Sequence, residues 1–161
     1  MGTNLTKHAK VQLVRKAAQP LAMTGLYAVG AAEYVAIIRK GVLAKQVMTV
    51  SRQLNYPKSQ LLTILDLPAS TVDRKIKQGE KLSQEQSERF LGLERLISQV
   101  KTMVTESGDP QGFNAAQWLG EWLGQPLPAL GGKKPREFMD TVAGQGIVSR
   151  LLAQMQSGAY A

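Results

Sequence analysis

The sequence predicts an all-α protein, and three observations carry that expectation. Apolar residues recur at three- and four-residue spacing nearly throughout, while the alternation of a half-buried strand is almost absent. Most of these stripes are bounded by a capping residue or by glycine and proline. After Ser83, the apolar residues Phe90, Leu93, Ile97, Val100 and Val104 repeat at alternating spacings of three and four along a long helix.

The elements follow in order. Val11, Val14, Ala17 and Ala18 form a helical stripe that Pro20 ends, and a second helix fits Leu26 to Lys40, stopped by Gly41. Val42, Val47, Val50 and Leu54 mark a third, closed by "NYP". A short helix fits Ser59 to Leu65, followed by the break "DLPA". Ser70 is then expected as the N-cap of a helix reaching Gln78, with Gly79 as its C-cap. Ser83 opens the long helix, and "SQEQ" places Gln86 where a capping box needs it. Its Phe90, Leu93, Ile97, Val100 and Val104 suit either a dimer seam or a core-facing stripe, and over two heptads the core-facing reading is preferred. "TESGDPQG" reads as a linker. Asn114 caps a helix bearing Trp118, Leu119, Trp122 and Leu123, with both tryptophans expected in the core. "GQPLPALGGKKP" forms a rigid loop, and Thr141 introduces a last helix carrying Ile147, Leu151, Leu152 and Met155.

Two short helices joined by a tight break, over 59–65 and 70–78, make a helix-turn-helix whose second helix enters the major groove of DNA. Leu61, Leu65, Leu67, Val72 and Ile76 supply the apolar lock between them. Ser70, Thr71, Asp73, Arg74, Lys75, Lys77 and Gln78 remain on the outside, with Lys58 at the head of the first helix. Arg and Gln can read base edges in pairs of hydrogen bonds, and Lys neutralises phosphate. The competing reading is the solvated face of an ordinary helix. Two positions depart from the usual pattern: Leu62 stands where a small residue is ordinary, and Asp66 stands where the turn glycine is ordinary.

Charge separates the chain into unlike halves. The whole carries +8, but residues 1–81 hold thirteen Lys and Arg against four acids, and residues 82–161 hold seven against eight. A basic half joined to a neutral one points to a polyanion partner for the first. At 161 residues and 43% hydrophobic, the chain suffices for one globular domain or two small ones sharing a core. The absence of cysteine removes disulfides and thiolate metal sites. "LAMTGLYAVGAAEYVAII" has about the length of a membrane span but carries Glu33 and is weakly apolar, so no span is expected. With no signal peptide visible, the expected location is the cytoplasm.

Catalytic constellations are poor. His8 is the single histidine, which leaves no Cys–His or zinc arrangement. "GGKK" lacks the flanking residues of a P-loop, and "AGQGIVS" has Ser149 where a dinucleotide fingerprint needs its last glycine. No enzyme activity, cofactor or metal is expected.

The last forty residues are more specific. Trp122-Leu123 followed by Pro126, "PALGGKKP", the "DT-x-AG" of Asp140 to Gly144, the Val148 to Leu152 stripe and the closing "SGAYA" resemble the toxin-binding domain of Xre/MbcA/ParS-type antitoxins. Upstream, "EYVAIIRKGV" and "LPASTVDRKIKQGEKLSQEQSERFLGLERL" resemble the family's DNA-binding half. The resemblance covers about residues 25–161. It implies residues 1–24 as a variable extension, 25–82 as a helix-turn-helix domain, and 83–161 as a connecting long helix with a small helical toxin-binding half. It also implies a cognate RES-domain toxin that consumes NAD or transfers ADP-ribose, repression of the chain's own operator DNA, and a homodimer. Toxin contact is expected from Leu130, Gly131, Gly132, Lys133, Lys134, Arg136 and Arg150, and from the tail Ser157, Gly158, Ala159, Tyr160 and Ala161. A plain helix-turn-helix transcription regulator, whose second half dimerises or senses a ligand, is the other function class left open.

Overall fold

The computed structural model describes residues 25–108 and 110–158. The expected extension 1–24, with its stripe from Val11 to Ala18, and Ala159, Tyr160 and Ala161 of the tail lie outside the described residues. Among the described residues there are seven α-helices: α1 (Ala31–Lys40), α2 (Gln46–Gln53), α3 (Lys58–Ile64), α4 (Ala69–Gln78), α5 (Gln84–Glu106), α6 (Ala115–Leu123) and α7 (Val142–Gln156). Three 3-10 turns, Leu26–Ala28, Pro128–Leu130 and Pro135–Phe138, complete the set. Strand pairing among these residues is limited to one antiparallel bridge between Leu43 and Lys81. The fold is all-helical, as the periodicity predicts.

The long helix α5 is the axis of the molecule. It packs against the Leu26–Ala28 turn, α1, α6 and α7. Phe90, Leu93, Ile97 and Val100 are buried, so this stripe faces the core, with Val104 partly buried beside it. One cluster of buried apolar residues runs from Leu26 through α5 to Leu152, so both halves draw on the same core. Each fully buried side chain of this size contributes about 1.5–3 kcal/mol. The segment expected as a linker is a short turn from α5 into α6, whose Ala115, Ala116, Leu119, Trp122 and Leu123 are buried. Trp122 is thus in the core; Trp118 is partly buried and stacks on it, centroids 6.0 Å apart.

Local capping explains the start of three helices and the end of α4. Ser83 accepts from the Gln86 N–H while the Gln86 side chain accepts from the Ser83 N–H, a complete capping box. The Asn114 and Thr141 side chains accept from the N–H of Gln117 and Gly144. Gly79 closes α4 in the left-handed region at φ 67.

Three expectations are corrected. The third helix does not include Val42: the backbone there pairs with Leu82, and α2 begins at Gln46. The helix predicted from Leu26 to Lys40 is broken: Leu26–Ala28 is a 3-10 turn, and Val29 and Gly30 are extended before α1 starts. Gly30 supplies no helix propensity, while the Tyr27 N–H is drawn to Ser98 Oγ on α5 at 3.0 Å. Ser70 is not an N-cap. Pro68 occupies that position with extended backbone, α4 begins at Ala69, and no side chain caps it. The turn geometry at Asp66 and the fixed φ of Pro68 decide the start before Ser70 is reached.

Candidate functional site

The pair α3–α4 forms the expected helix-turn-helix. Leu61, Leu65, Leu67 and Val72 are buried and Ile76 partly so, which locks the two helices as predicted. The turn between them passes through Asp66 at φ 50, the left-handed region that glycine usually fills. Leu67 N–H donates to the Leu62 carbonyl at 2.8 Å, closing the end of α3. The exit of α4 is tied down by Ala44 N–H to Glu80 O at 3.0 Å and Leu82 N–H to Val42 O at 2.8 Å.

The outward face of α4 is less free than its residue types suggest. Ser70, Arg74, Lys77 and Gln78 are exposed, whereas Thr71, Asp73 and Lys75 are half-buried. Lys58 and Asp73 form an ion pair at 2.5 Å, joining the head of α3 to α4. Arg74 donates to Gln78 at 2.9 Å and pairs with Glu80 at 3.2 Å. Lys75 reaches Gln86 at 3.4 Å. Lys77 has no ion pair among the described residues. The acidic Asp73, a poor neighbour for phosphate, is thereby neutralised, and the Arg74–Glu80 pair is exposed enough that releasing it costs only about 0.2–1 kcal/mol. The face can turn its cations outward at small expense.

The C-terminal loop is built from short hydrogen bonds within itself. Leu127 N–H donates to Lys133 O, Gly132 N–H to Leu127 O and Lys133 N–H to Leu130 O, all at 2.9–3.2 Å. Gly131 and Gly132 take φ 64 and 84, a pair of left-handed residues that lets the loop fold back. Gly131, Gly132 and Lys133 are exposed, while Leu130 and Lys134 are half-buried. The Glu137 carboxylate accepts the Lys134 N–H at 2.7 Å and fixes the turn Pro135–Phe138, which packs on α6 and α7. Arg136 departs from this cluster: it lines a shallow groove of about 400 Å³ with Ser59, Gln60, Thr63 and Ile64 of α3. Arg150 is exposed on α7, and Ser157 and Gly158 are exposed at its end.

Helix α7 is seated by buried amides. Gln145 Nε2 donates to Arg89 O at 2.9 Å and Met139 O at 3.0 Å. Gln99 Nε2 donates to Ser149 O at 2.9 Å, and Ser149 Oγ donates back to Gln99 Oε1 at 2.8 Å. A Cβ at Gly92 would lie 1.8 Å from Gln145 Oε1, so glycine leaves the room that the Gln145 amide occupies against α5. Between the halves, the Tyr56 hydroxyl donates to the Gly120 carbonyl, and burial raises its pKa while Arg136 opposes the shift.

Sequence reasoning missed Tyr56, Arg89, Gln99 and Gln145. Apart from Glu85 for Arg89 and Met139 for Gln145, the partners that fix them lie 23 to 64 residues away, where no local spacing announces them. Asp66 in the glycine position was the one available signal for Arg89.

Comparison with known proteins matches this geometry in the same order. Residues 33–95 match the antitoxin Xre-like helix-turn-helix domain, and residues 111–158 match the antitoxin Xre/MbcA/ParS C-terminal toxin-binding domain. The chain is also similar to the Prs ADP-ribosylating antitoxin of Sphingobium sp. (strain YBL2), 43% identical over 146 residues, 91% of this chain and 92% of that protein.

Proposed function

This chain belongs to the Xre/MbcA/ParS family of antitoxins, and on that premise we propose that it binds and blocks a RES-domain toxin that consumes NAD or transfers ADP-ribose, and that it represses its own operon. The observation that carries the reading is the succession of the family's two domains on one chain, basic first and neutral second. The relative's name couples that antitoxin to ADP-ribosylation, which favours a toxin of that chemistry here.

In this reading residues 25–82 bind DNA, 83–161 connect to and form the toxin-binding half, and 1–24 are a variable extension. Helix α4 lies in the major groove with Arg74 and Gln78 toward base edges and Lys77 toward phosphate. Lys58 holds Asp73 away from the backbone of the DNA. On the other half, the loop of Gly131, Gly132 and Lys133 is ordered by its own hydrogen bonds before any partner arrives, which lowers the entropic cost of docking. Arg150 and the tail from Ser157 add the rim. The protein acts by occupying the toxin rather than by catalysis, as a cytoplasmic homodimer.

Co-expression with the product of the adjacent gene tests this. The two should copurify, and cells making both should grow where cells making the neighbour alone do not. A neighbour that is harmless, or that fails to copurify, contradicts the antitoxin reading.

A further inference from the structure

We propose that Arg89 is a positioning residue for DNA binding, a clamp that sets the angle of α4 by holding the turn before it. The proposal rests on the DNA-binding reading of α3–α4. Arg89 sits on α5, outside the helix-turn-helix, with its side chain 13% exposed. Its Nε donates to the Leu65 carbonyl at 2.9 Å and its Nη2 to the Asp66 carbonyl at 3.0 Å. The remaining arm meets Glu85 at 2.9 Å, which fixes the plane of the guanidinium. Behind it, Gln145 holds the Arg89 carbonyl.

The two carbonyls belong to the residues that swing the chain from α3 to α4. Asp66 takes φ 50 there, a conformation that disfavours residues with a Cβ and that glycine adopts freely. Asp enters this region more readily than most residues but less freely than glycine, and a planar fork bridging consecutive carbonyls adds a restraint on the turn. Helix α4 has less apolar anchorage than α3, which buries Leu61 and Leu62. Val72 is its one fully buried residue and Ile76 its one partly buried apolar neighbour, so its packing is a single narrow stripe about which a tilt is possible. A tilt at the turn moves Arg74, Lys77 and Gln78 together relative to the DNA.

The test uses the full chain in complex with its toxin and an operator fragment. Arg89→Ala should weaken operator binding by about tenfold. The slope of log affinity against log salt should stay unchanged, because no phosphate contact is removed, whereas Lys77→Ala should lower it by about one. Arg89→Lys, which keeps the charge but not the fork, should fall between. Asp66→Gly placed in the Arg89→Ala protein should recover most of the affinity, since glycine accepts the turn unaided. Toxin copurification should be unaffected in all four. Hydrogen exchange supplies the second readout: amides of Leu67 and α4 should exchange faster in Arg89→Ala while those of α7 do not.

Affinity within about twofold of the parent in a folded Arg89→Ala protein, a reduced salt slope, or no recovery with Asp66→Gly would each overturn the clamp. So would unchanged exchange at Leu67 and α4. If the parent complex binds no DNA, the DNA-binding reading falls instead, and exchange alone decides whether Arg89 holds the turn.

Discussion

Helix α4 lies within the match to the helix-turn-helix domain and α7 within the match to the toxin-binding domain, and they are anchored in opposite ways. Helix α4 buries Val72 fully and Ile76 in part, and is otherwise held by polar links: Lys58 to Asp73, Lys75 to Gln86, and Arg89 to the turn that precedes it. Helix α7 buries Gly144, Gln145, Val148, Leu151 and Leu152, and two buried glutamines fasten it to α5. A helix that must present a polar face to DNA has one narrow stripe left for packing, so directional hydrogen bonds fix its angle. A helix that serves as a platform can be close-packed on its inner side, and its geometry is insensitive to single surface changes.

Three changes to the chain sharpen that contrast, taken from the largest effect downward. Gly144 is the third residue of α7, where an added Cβ would lie 1.9 Å from the Phe138 carbonyl oxygen. Because the obstacle is backbone, Gly144→Ala should destabilise the protein by about 2–4 kcal/mol. A denaturation curve checks it, and toxin neutralisation should weaken with it. A stable Gly144→Ala protein would mean that α7 is not the close-packed platform described here.

The second concerns Glu94 on α5, which lines a groove of about 670 Å³ with Leu26, Ala36, Ile37 and Leu91. Burial pushes its pKa from 4.5 up to about 7, with Lys101 pulling the other way. Between those values the folded protein holds a proton that the unfolded chain has released, so stability falls as pH rises from 4.5 to 7 and then levels off. Glu94→Gln should therefore be more stable than the parent at pH 8 by on the order of 2 kcal/mol and equal to it at about pH 4. Melting temperatures at the two pH values decide the matter, and a parallel shift at both would exclude Glu94 as its source.

The third effect is the smallest on stability. Ser157 and Gly158 are exposed at the end of α7, so removing Ser157–Ala161 should leave the melting temperature nearly unchanged. Growth of cells carrying the toxin should nonetheless suffer if the tail enters the partner's cleft. Full rescue of growth by the truncated protein would assign the block to the loop around Gly131 and Gly132 instead.

Much of the fold is legible because its signals are local. The capping box at Ser83 and Gln86, the caps Asn114 and Thr141, the C-cap Gly79 and the buried stripe from Phe90 to Val100 all depend on residues within a few positions of each other. The errors at Gly30 and Ser70 arise where a neighbouring element overrides a local preference, through Ser98 in one case and the Asp66–Pro68 turn in the other. On the candidate surfaces, residue type locates the exposed face of α4, but not which of its charges are already paired. Lys58, Asp73 and Arg74 each direct their charge to a partner chosen by the packing of helices. Arg136 shows the same limit, since it stands close to Lys134 in sequence yet lines the groove against α3.

The division of labour itself is tested most directly by replacing Arg74 and Lys77 together with alanine and titrating an operator fragment at several salt concentrations. Binding should be weaker, with a deficit that shrinks as salt rises and a salt slope lower by about one for each phosphate that is no longer neutralised. The same protein should still copurify with the toxin and rescue growth. A folded double variant with unchanged operator affinity would contradict the assignment of α4 to DNA.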